Sequence, residues 1–232
     1  MTLLKSRFEQ VFDQIHKAEK ACQREGEVRL LAVSKTKPAD LVREACTLGQ
    51  REFGESYLQE ALVKVQALSD IENIVWHFIG PIQSNKTRDI ASHFHWVHSV
   101  DRLKIARRLN DQRPADLPPL NICLQVNISG EASKSGVSVD GLEELVKAVS
   151  ELPSLSLRGL MAIPAPAENK EQQRLPFRAL KQALDNLNKN LGLNMDTLSM
   201  GMTDDLEAAV EEGSTMVRIG TALFGAREYS NR

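Results

Sequence analysis

Hydrophobic positions follow two patterns along this chain. Near the N-terminus six apolar residues recur at helical spacing, which predicts a helix before the first strand. They are Leu4, Phe8, Val11, Phe12, Ile15 and Ala18. Eight short apolar runs then predict strands at Leu30–Val33, Glu52–Gly54, Ile74–Gly80, Trp96–Val100, Leu120–Ile128, Leu157–Ile163, Thr197–Met200 and Met216–Ile219. Amphipathic stretches between them predict helices at Ala39–Leu48, Tyr57–Leu68, Asn85–His93, Arg102–Asn110, Gly141–Leu152, Gln172–Asn190 and Asp204–Glu212.

Strands that alternate with helices favour a parallel α/β architecture. The eightfold count favours a closed (β/α)8 TIM barrel with an extra N-terminal helix over the alternative, an open doubly wound sheet. The strand Glu52–Gly54 is the least secure of the eight, because it is short and charged. Since no low-complexity linker interrupts the pattern, we expect residues 1–232 to form a single domain.

Charge and cysteine content narrow the class of protein. Lys and Arg number 29 against 31 Asp and Glu, and this balance argues against nucleic acid or an anionic membrane as a partner. No apolar run reaches transmembrane length. Three cysteines (Cys22, Cys46 and Cys123) are odd in number and lack CxxC pairing, which is typical of unpaired thiols in a reducing compartment. The sequence therefore predicts a soluble cytoplasmic protein.

Lys35 lies where an apolar strand ends and a loop begins. It follows Leu30–Val33, and Pro38 then opens the next helical stretch. A lysine at the mouth of such a strand–loop–helix unit is able to project from a low-dielectric floor into a cleft. Burial of this kind lowers the pKa of an amine and makes it a nucleophile toward carbonyl carbons. The alternative is a solvated surface lysine.

The loop after the seventh strand has the chemistry of a phosphate site. In TIM barrels such sites often form from the loops that follow strands seven and eight. Ser199 and Thr203 offer hydroxyl groups, and Gly201 allows backbone amides to approach an anion closely. The alternative is that Thr203 or Asp204 caps the following helix.

The end of the eighth strand offers further anion-binding groups. Gly220 and Thr221 are able to present amides and a hydroxyl at a helix start. Strand alternation places Arg218 on the same side as Met216 and Gly220, so we expect it to point into the barrel mouth. A buried arginine requires a carboxylate or a ligand acceptor, and the alternative is a structural ion pair. No Walker or GxGxxG motif indicates a nucleotide.

Together, a lysine at a strand end, an arginine and the hydroxyl and glycine residues of a phosphate site are the groups that a pyridoxal 5′-phosphate (PLP) site requires. The aldehyde of PLP requires an amine, its phosphate requires several donors, and its ring nitrogen requires a partner. If Arg218 reaches that nitrogen, it keeps the nitrogen unprotonated. A neutral pyridine is a weaker electron sink than a pyridinium, so the site would bind the cofactor firmly and stabilise carbanions only modestly.

Long motifs throughout the chain resemble the YggS-type pyridoxal phosphate homeostasis family. They are Ala32–Pro38, Phe53–Glu55, Trp76–Lys86, Ser133–Gly136, Arg158–Met161 and the segments around Ser199 and Arg218. The resemblance covers essentially the whole chain in order. One departure is visible: Ser56 stands where the family commonly has Asn before Tyr57, which puts any contact of that amide in doubt.

The resemblance implies an alanine-racemase-like, fold-type III barrel and a set of site residues. It implies that Lys35 carries PLP as a Schiff base and that Arg218 faces the ring nitrogen. It implies that Ser199, Gly220 and Thr221 hold the phosphate. The family is implied to buffer or deliver PLP without established turnover, with PLP-dependent apo-enzymes as possible acceptors.

Two other functions stay open. One is a fold-type III amino-acid racemase that uses Lys35 as its base. A two-base racemase requires a second proton donor, and the only tyrosines are Tyr57 and Tyr229, with no added domain in the sequence. The lack of an added domain favours carriage of PLP over catalysis. It also favours a monomeric protein. The other open function is a barrel that binds a different phosphorylated metabolite without a Schiff base.

Histidines and loop lysines supply further candidates. His77, His93, His95 and His98 lie close in sequence, but no Cys, Asp or Glu stands beside them at a usual metal-ligand spacing, so we predict no metal. His77 is instead expected to point into the barrel near the cofactor. Lys134, flanked by serines, is a hypothetical second docking amine for PLP transfer.

Overall fold

The computed structural model describes residues 2–131 and 135–226, and within them eight parallel strands close into a barrel in chain order. The strands are β1 (Arg29–Val33), β2 (Glu52–Glu55), β3 (Val75–Phe78), β4 (Trp96–Val100), β5 (Leu120–Gln125), β6 (Leu155–Met161), β7 (Thr197–Ser199) and β8 (Met216–Ile219). The helices are α1 (Leu3–Ala21), α2 (Ala39–Thr47), α3 (Leu58–Ala67), α4 (Thr87–His93), α5 (Leu103–Gln112), α6 (Val139–Ser150), α7 (Lys170–Leu191), α8 (Leu206–Glu211) and α9 (Thr221–Phe224). A short 3-10 helix, Ser84–Lys86, precedes α4.

The predicted TIM barrel is confirmed, and the open sheet is excluded by the pairing of the first strand with the last. β1 and β8 run parallel from the Arg29–Met216 pair to the Ala32–Ile219 pair. The charged second strand is also real, since Phe53 and Gly54 of β2 pair with both β1 and β3. Closure brings the carboxyl ends of β1 and β8 side by side, and this position decides where the site lies.

The extra N-terminal helix forms as predicted and packs on the outside of the barrel. Thr2 caps α1 by accepting a hydrogen bond from the amide of Lys5 at 3.2 Å. Phe8 is buried and meets Phe224 of α9 edge to face, with ring centroids 6.2 Å apart. The apolar stripe of α1 therefore packs on α9, which follows β8.

The bounds of several elements differ from the predicted ones by a few residues, and the differences at α8 and β5 bear on the site. Helix α8 begins at Leu206 and its N-cap is Asp205, so the predicted cap at Thr203 or Asp204 is wrong. The Asp205 carboxylate instead accepts a hydrogen bond from the amide of Met202 at 2.6 Å, which closes the loop before the helix. Strand β5 ends at Gln125, and only an isolated bridge at Val126 continues it. The helix start expected at Gly220 and Thr221 is present, since the four-residue helix α9 begins at Thr221 with Gly220 as its N-cap.

Among the described residues, no helix is long and apolar enough to cross a membrane. All three cysteines are free thiols, as predicted, and Cys46 and Cys123 are buried. Burial raises the pKa of the Cys123 thiol to about 12. Lys134 and Tyr229 lie outside the described residues.

Candidate functional site

A cavity of about 380 Å³ opens at the carboxyl ends of the strands. Its wall consists of Val33, Lys35, Ser56, Ile79, Ile163, Met202, Thr203, Asp204, Arg218, Gly220 and Thr221. Four of the six predicted site residues thus line one space, although the sequence separates Lys35 from the other three by most of the chain. The closure of β1 on β8 is what brings them together.

A buried ionic cluster supports the loop that carries Lys35. We call it the Lys64 cluster: Ser34, Glu55, Glu60 and Lys64. Lys64 is 3% exposed, and its amine donates to the Ser34 carbonyl at 2.7 Å, to Glu55 at 2.8 Å and to Glu60 at 2.6 Å. These three bonds use all the protons of an ammonium group. The Ser34 hydroxyl donates to the same Glu55 oxygen at 2.6 Å, so the residue before Lys35 is held from two sides.

The residue after Lys35 is held as well, in an unusual conformation. Thr36 has φ +65°, a left-handed value that a β-branched residue rarely adopts. Its amide donates to Glu60 at 2.6 Å. Because Glu60 also accepts from Lys64, the Lys64 cluster fixes the backbone on both sides of Lys35. Burial raises the pKa of Glu55, and the Lys64 charge opposes that rise.

Arg218 points into the barrel, as predicted from strand alternation. Its side chain is nearly buried, and its Nη1 donates to the Ser199 carbonyl at 2.5 Å and to the Ser199 hydroxyl at 2.9 Å. Its Nη2 donates to the Ala162 carbonyl at 3.0 Å. No carboxylate of the described residues forms an ion pair with it, so the alternative of a structural ion pair does not hold for that part of the chain. Burial lowers the pKa of Arg218 to about 10, and the Asp205 charge opposes the shift.

Two N–H groups of Arg218 therefore remain, one on Nε and one on Nη2, without an acceptor among residues 2–131 and 135–226. Arg218 also lines the cavity. Three carbonyl and hydroxyl contacts thus hold the guanidinium at the cavity wall, and two of its N–H groups remain for another acceptor.

The other two predicted site residues lie beside the cavity and do not line it. The Ser199 side chain is fully buried, and its hydroxyl contacts both Arg218 and Nδ1 of His98, the latter at 2.7 Å. Gly201 has φ +96°, and a Cβ there would stand 2.6 Å from the Cβ of Ala209. Gly201 is therefore required for the loop to pass α8. Their predicted contacts with a phosphate stay predictions.

Gly220 leaves room where β8 passes β1. A Cβ at this position would stand 3.2 Å from the Val33 carbonyl oxygen, closer than most real contacts. The hydroxyl-bearing residues Thr203 and Thr221 lie on the same wall. The absence of a side chain at Gly220 thus keeps one end of the cavity open beside two possible hydroxyl donors.

Sequence reasoning missed the apolar part of the wall. Val33, Ile79, Ile163 and Met202 all line the cavity, and the last two are 42% and 40% exposed. A signal was available, because three of these residues stand at or just beyond the carboxyl end of β1, β3 and β6. An aromatic ligand is suited to such a wall, which offers it apolar faces.

The histidines occupy two environments. His77 and His98 are fully buried inside the barrel, and Nδ1 of His77 lies 2.9 Å from Nε2 of His98. His95 Nδ1 accepts from the Trp76 amide at 3.0 Å, and His93 donates to the Asp89 carbonyl at 2.9 Å. The described residues contain no group of three metal-ligating side chains. His77 points into the barrel, as predicted, but it does not line the cavity where the cofactor was expected.

Comparison with known proteins agrees with this geometry. Residues 9–228 match the family described as alanine racemase, N-terminal domain. A relative from Pseudomonas aeruginosa, named pyridoxal phosphate homeostasis protein, is 61% identical over 99% of this chain and 98% of its own length. The chain belongs to the pyridoxal phosphate homeostasis protein family. The resemblance found in the motifs is confirmed.

Solved structures support the same assignment. PipY of Synechococcus elongatus, determined without PLP, superposes with a TM-score of 0.86 at 34% identity, over 96% of this chain and all of that one. PipY determined with PLP bound gives a TM-score of 0.80 at 34% identity, over 91% of this chain. The barrel of the homeostasis family is thus the fold of a protein that has been seen with PLP.

Proposed function

We propose that this protein binds PLP as a Schiff base on Lys35 and takes part in intracellular PLP homeostasis by buffering or delivering the cofactor. The observation that carries the proposal is that Lys35 and Arg218 line one cavity. Membership of the homeostasis family supports it, as does the PLP-bound structure of PipY.

The residues of the cavity fit each part of PLP. Lys35 supplies the amine, and the unused N–H groups of Arg218 suit an unprotonated ring nitrogen. Thr203 and Thr221 offer hydroxyl groups for the phosphate beside the space that Gly220 leaves. One group opposes the fit, because the Asp204 carboxylate also lines the cavity. It is exposed, so solvent screens its repulsion of a phosphate.

The environment of Arg218 favours carriage over turnover. Bound PLP supplies an aldehyde that condenses reversibly with amines and a ring that withdraws electrons. An arginine is a donor only, so it cannot protonate the ring nitrogen and strengthen that withdrawal in the way that a carboxylic acid does. Arg218 therefore binds the ring without activating it. Lys35, supported by the Lys64 cluster, holds the aldehyde end.

The first test is the visible absorption spectrum of the purified protein with PLP, followed by borohydride reduction and peptide mapping. We expect an absorption band of a Schiff base and a reduced adduct on Lys35. Lys35→Ala should abolish both. Lys37→Ala is the matched control, because Lys37 lies two residues away and donates to the Ala226 carbonyl at 2.7 Å. Adducts scattered over surface lysines would contradict the proposal.

Delivery and turnover are separated by two further measurements. We expect the loaded protein to activate a PLP-dependent apo-enzyme, and we expect no exchange of the α-hydrogen of amino acids in deuterium oxide. Exchange that depends on Lys35 would instead establish the racemase alternative. The hypothesis for Lys134 would fail if Lys134→Ala left PLP binding and release unchanged.

Three further statements stay predictions. We propose that residues 1–232 act as one PLP-binding domain, because the site uses both β1 and β8. The monomeric state is measurable by sedimentation. The cytoplasmic location is supported by the free thiols and is measurable by fractionation.

A further inference from the structure

A row of buried polar side chains runs through the barrel from Arg218 to the opposite end. The Arg218 Nη1 lies 2.9 Å from the Ser199 hydroxyl, and that hydroxyl lies 2.7 Å from Nδ1 of His98. The His98 Nε2 lies 2.9 Å from Nδ1 of His77. The His77 Nε2 then faces Oε2 of Glu52 at 3.9 Å, and both atoms are buried without a hydrogen-bond partner among the described residues. We call this row the inner chain.

One arrangement of protons gives the Ser199 hydroxyl an acceptor, because among the described residues only Nδ1 of His98 is placed to accept from it. An arginine donates and never accepts, so the Ser199 oxygen must accept from Arg218. The hydroxyl proton of Ser199 is then available for Nδ1 of His98, which must be unprotonated to accept it. A neutral His98 carries its proton on Nε2 and donates it to Nδ1 of His77. His77 carries its own proton on Nε2, where the Glu52 carboxylate faces it.

We propose that Ser199, His98 and His77 are positioning residues, and that one aligned set of hydrogen bonds runs from the Arg218 cation to His77, whose Nε2 faces the Glu52 carboxylate at 3.9 Å. The alignment places partial negative charge against Arg218 and fixes the orientation of its guanidinium plane. The remaining Arg218 donors are then directed into the cavity. This role rests on the proposed function, because Arg218 matters to PLP only if PLP binds there. The alignment itself does not depend on PLP.

The surroundings of both histidines favour neutral rings. Both are fully buried. Burial and the Arg218 charge lower the pKa of His98 to about 3, and burial together with His98 lowers the pKa of His77. The Trp96 ring stacks on His77 at 5.5 Å, and the Arg29 guanidinium lies 5.2 Å over that same indole. The Arg29 charge also opposes protonation of both rings.

Glu52 is the acceptor at the far end. Its Oε1 accepts from Arg29 at 3.2 Å, which leaves Oε2 for His77. Burial raises the pKa of Glu52, and the Arg29 charge opposes the shift. The carboxylate thus has one oxygen for the surface arginine and one for the inner chain.

The direct test is the tautomeric state of the histidines in the protein without PLP, measured by long-range proton–nitrogen NMR on a sample labelled at histidine nitrogens. We expect His98 and His77 to show a protonated Nε2 and an unprotonated Nδ1. Ser199→Ala should alter the Nδ1 signal of His98 and leave His93 unchanged. A protonated Nδ1 on His98 would overturn the proposal, whether or not the protein binds PLP.

The positioning role is tested by PLP titration of three variants. His98→Leu should weaken PLP binding about tenfold, since it leaves the Ser199 hydroxyl without its acceptor. His98→Gln restores an acceptor and a donor, so we expect affinity within a few-fold of the natural chain. His93→Leu, on the surface, is the control. Equal loss in His98→Leu and His98→Gln, with both folded by circular dichroism, would refute positioning through hydrogen bonds. Failure of the natural chain to bind PLP would refute the proposed function and leave the NMR result standing.

Discussion

The amine of Lys64 lies 2.8 Å from a carboxylate oxygen of Glu55, and the two side chains are 4% and 0% exposed. Neither charge is able to reach bulk water, so each depends on the other. Their shared partner is Ser34, which is adjacent to Lys35. Breaking the pair should therefore affect both the fold and the loop that carries the reactive amine.

Lys64→Met should lower the free energy of unfolding by about 3–5 kcal/mol, because it leaves Glu55 buried without a counter-charge. Denaturant unfolding measures the change. Lys147→Met is the matched control, since Lys147 forms an exposed ion pair with Glu143 of the kind that contributes less than about 1 kcal/mol. Adding Glu55→Gln to Lys64→Met should recover part of the loss. Equal effects of the two single variants would mean that the Lys64 cluster does not stabilise the barrel.

Thr36→Gly should increase stability and weaken PLP binding. A non-glycine residue in the left-handed region costs about 1–2 kcal/mol, and glycine removes most of that cost. The freed loop would no longer hold Lys35 in place, so we expect PLP affinity to fall a few-fold. Thermal unfolding and PLP titration measure the two effects. Asn73→Gly, at φ +64° and outside the cavity wall, should stabilise without changing affinity. Unchanged affinity in Thr36→Gly would show that the strained turn does not position Lys35.

Gly220→Ala should weaken PLP binding without unfolding the protein. Its added Cβ would meet the Val33 carbonyl oxygen at 3.2 Å, and this backbone contact yields only if β1 and β8 separate slightly at the cavity. We expect about a tenfold loss of affinity, the effect of about 1.4 kcal/mol. An unchanged dissociation constant would mean that this end of the cavity does not hold the cofactor.

Acid should destabilise the protein through His98. Because the pKa of His98 is about 3 when folded and 6.5 otherwise, the unfolded chain binds more protons between these values. The contribution of neutral His98 to the free energy of unfolding is complete above pH 6.5. It is lost as the pH falls, by up to about 1.4 kcal/mol per pH unit. The pKa values of Glu52 and Glu55 are raised in the folded protein, so above pH 4.5 these two groups lower the free energy of unfolding as the pH rises. His98→Gln keeps both glutamates, so its unfolding free energy should fall less steeply with acid. Parallel curves for the two proteins would contradict the neutral assignment of His98.

The fold was predictable because eight short strands alternate with amphipathic helices. The predicted bounds of strands and helices are wrong where the local pattern and the tertiary contacts disagree. The apolar run predicts that β5 continues to Ile128, but the strand ends at Gln125. Helix α9 has only four residues, too few for a periodic signal, and its stability comes from packing on α1.

The site was predictable only in part. Lys35 and Arg218 stand at strand ends with a clear chemical character, so sequence position indicated them. The inner chain was not predictable, because which side chains meet inside a barrel depends on the stagger of strands that are distant in sequence. His98 and Ser199 are such a pair. The Lys64 cluster was hidden for a different reason: a lysine on a helix usually lies in solvent.

Lys35 follows β1 and Arg218 lies on β8, and these are the two strands whose pairing closes the barrel. If β1 and β8 were unpaired while the other strands stayed in place, the cavity would be incomplete. Binding at the cavity therefore stabilises the pairing of these two strands. The ligand would hold β1 and β8 together, so we expect the barrel without ligand to open first between these two strands. Amide hydrogen exchange along β1 and β8 should therefore slow when the ligand binds.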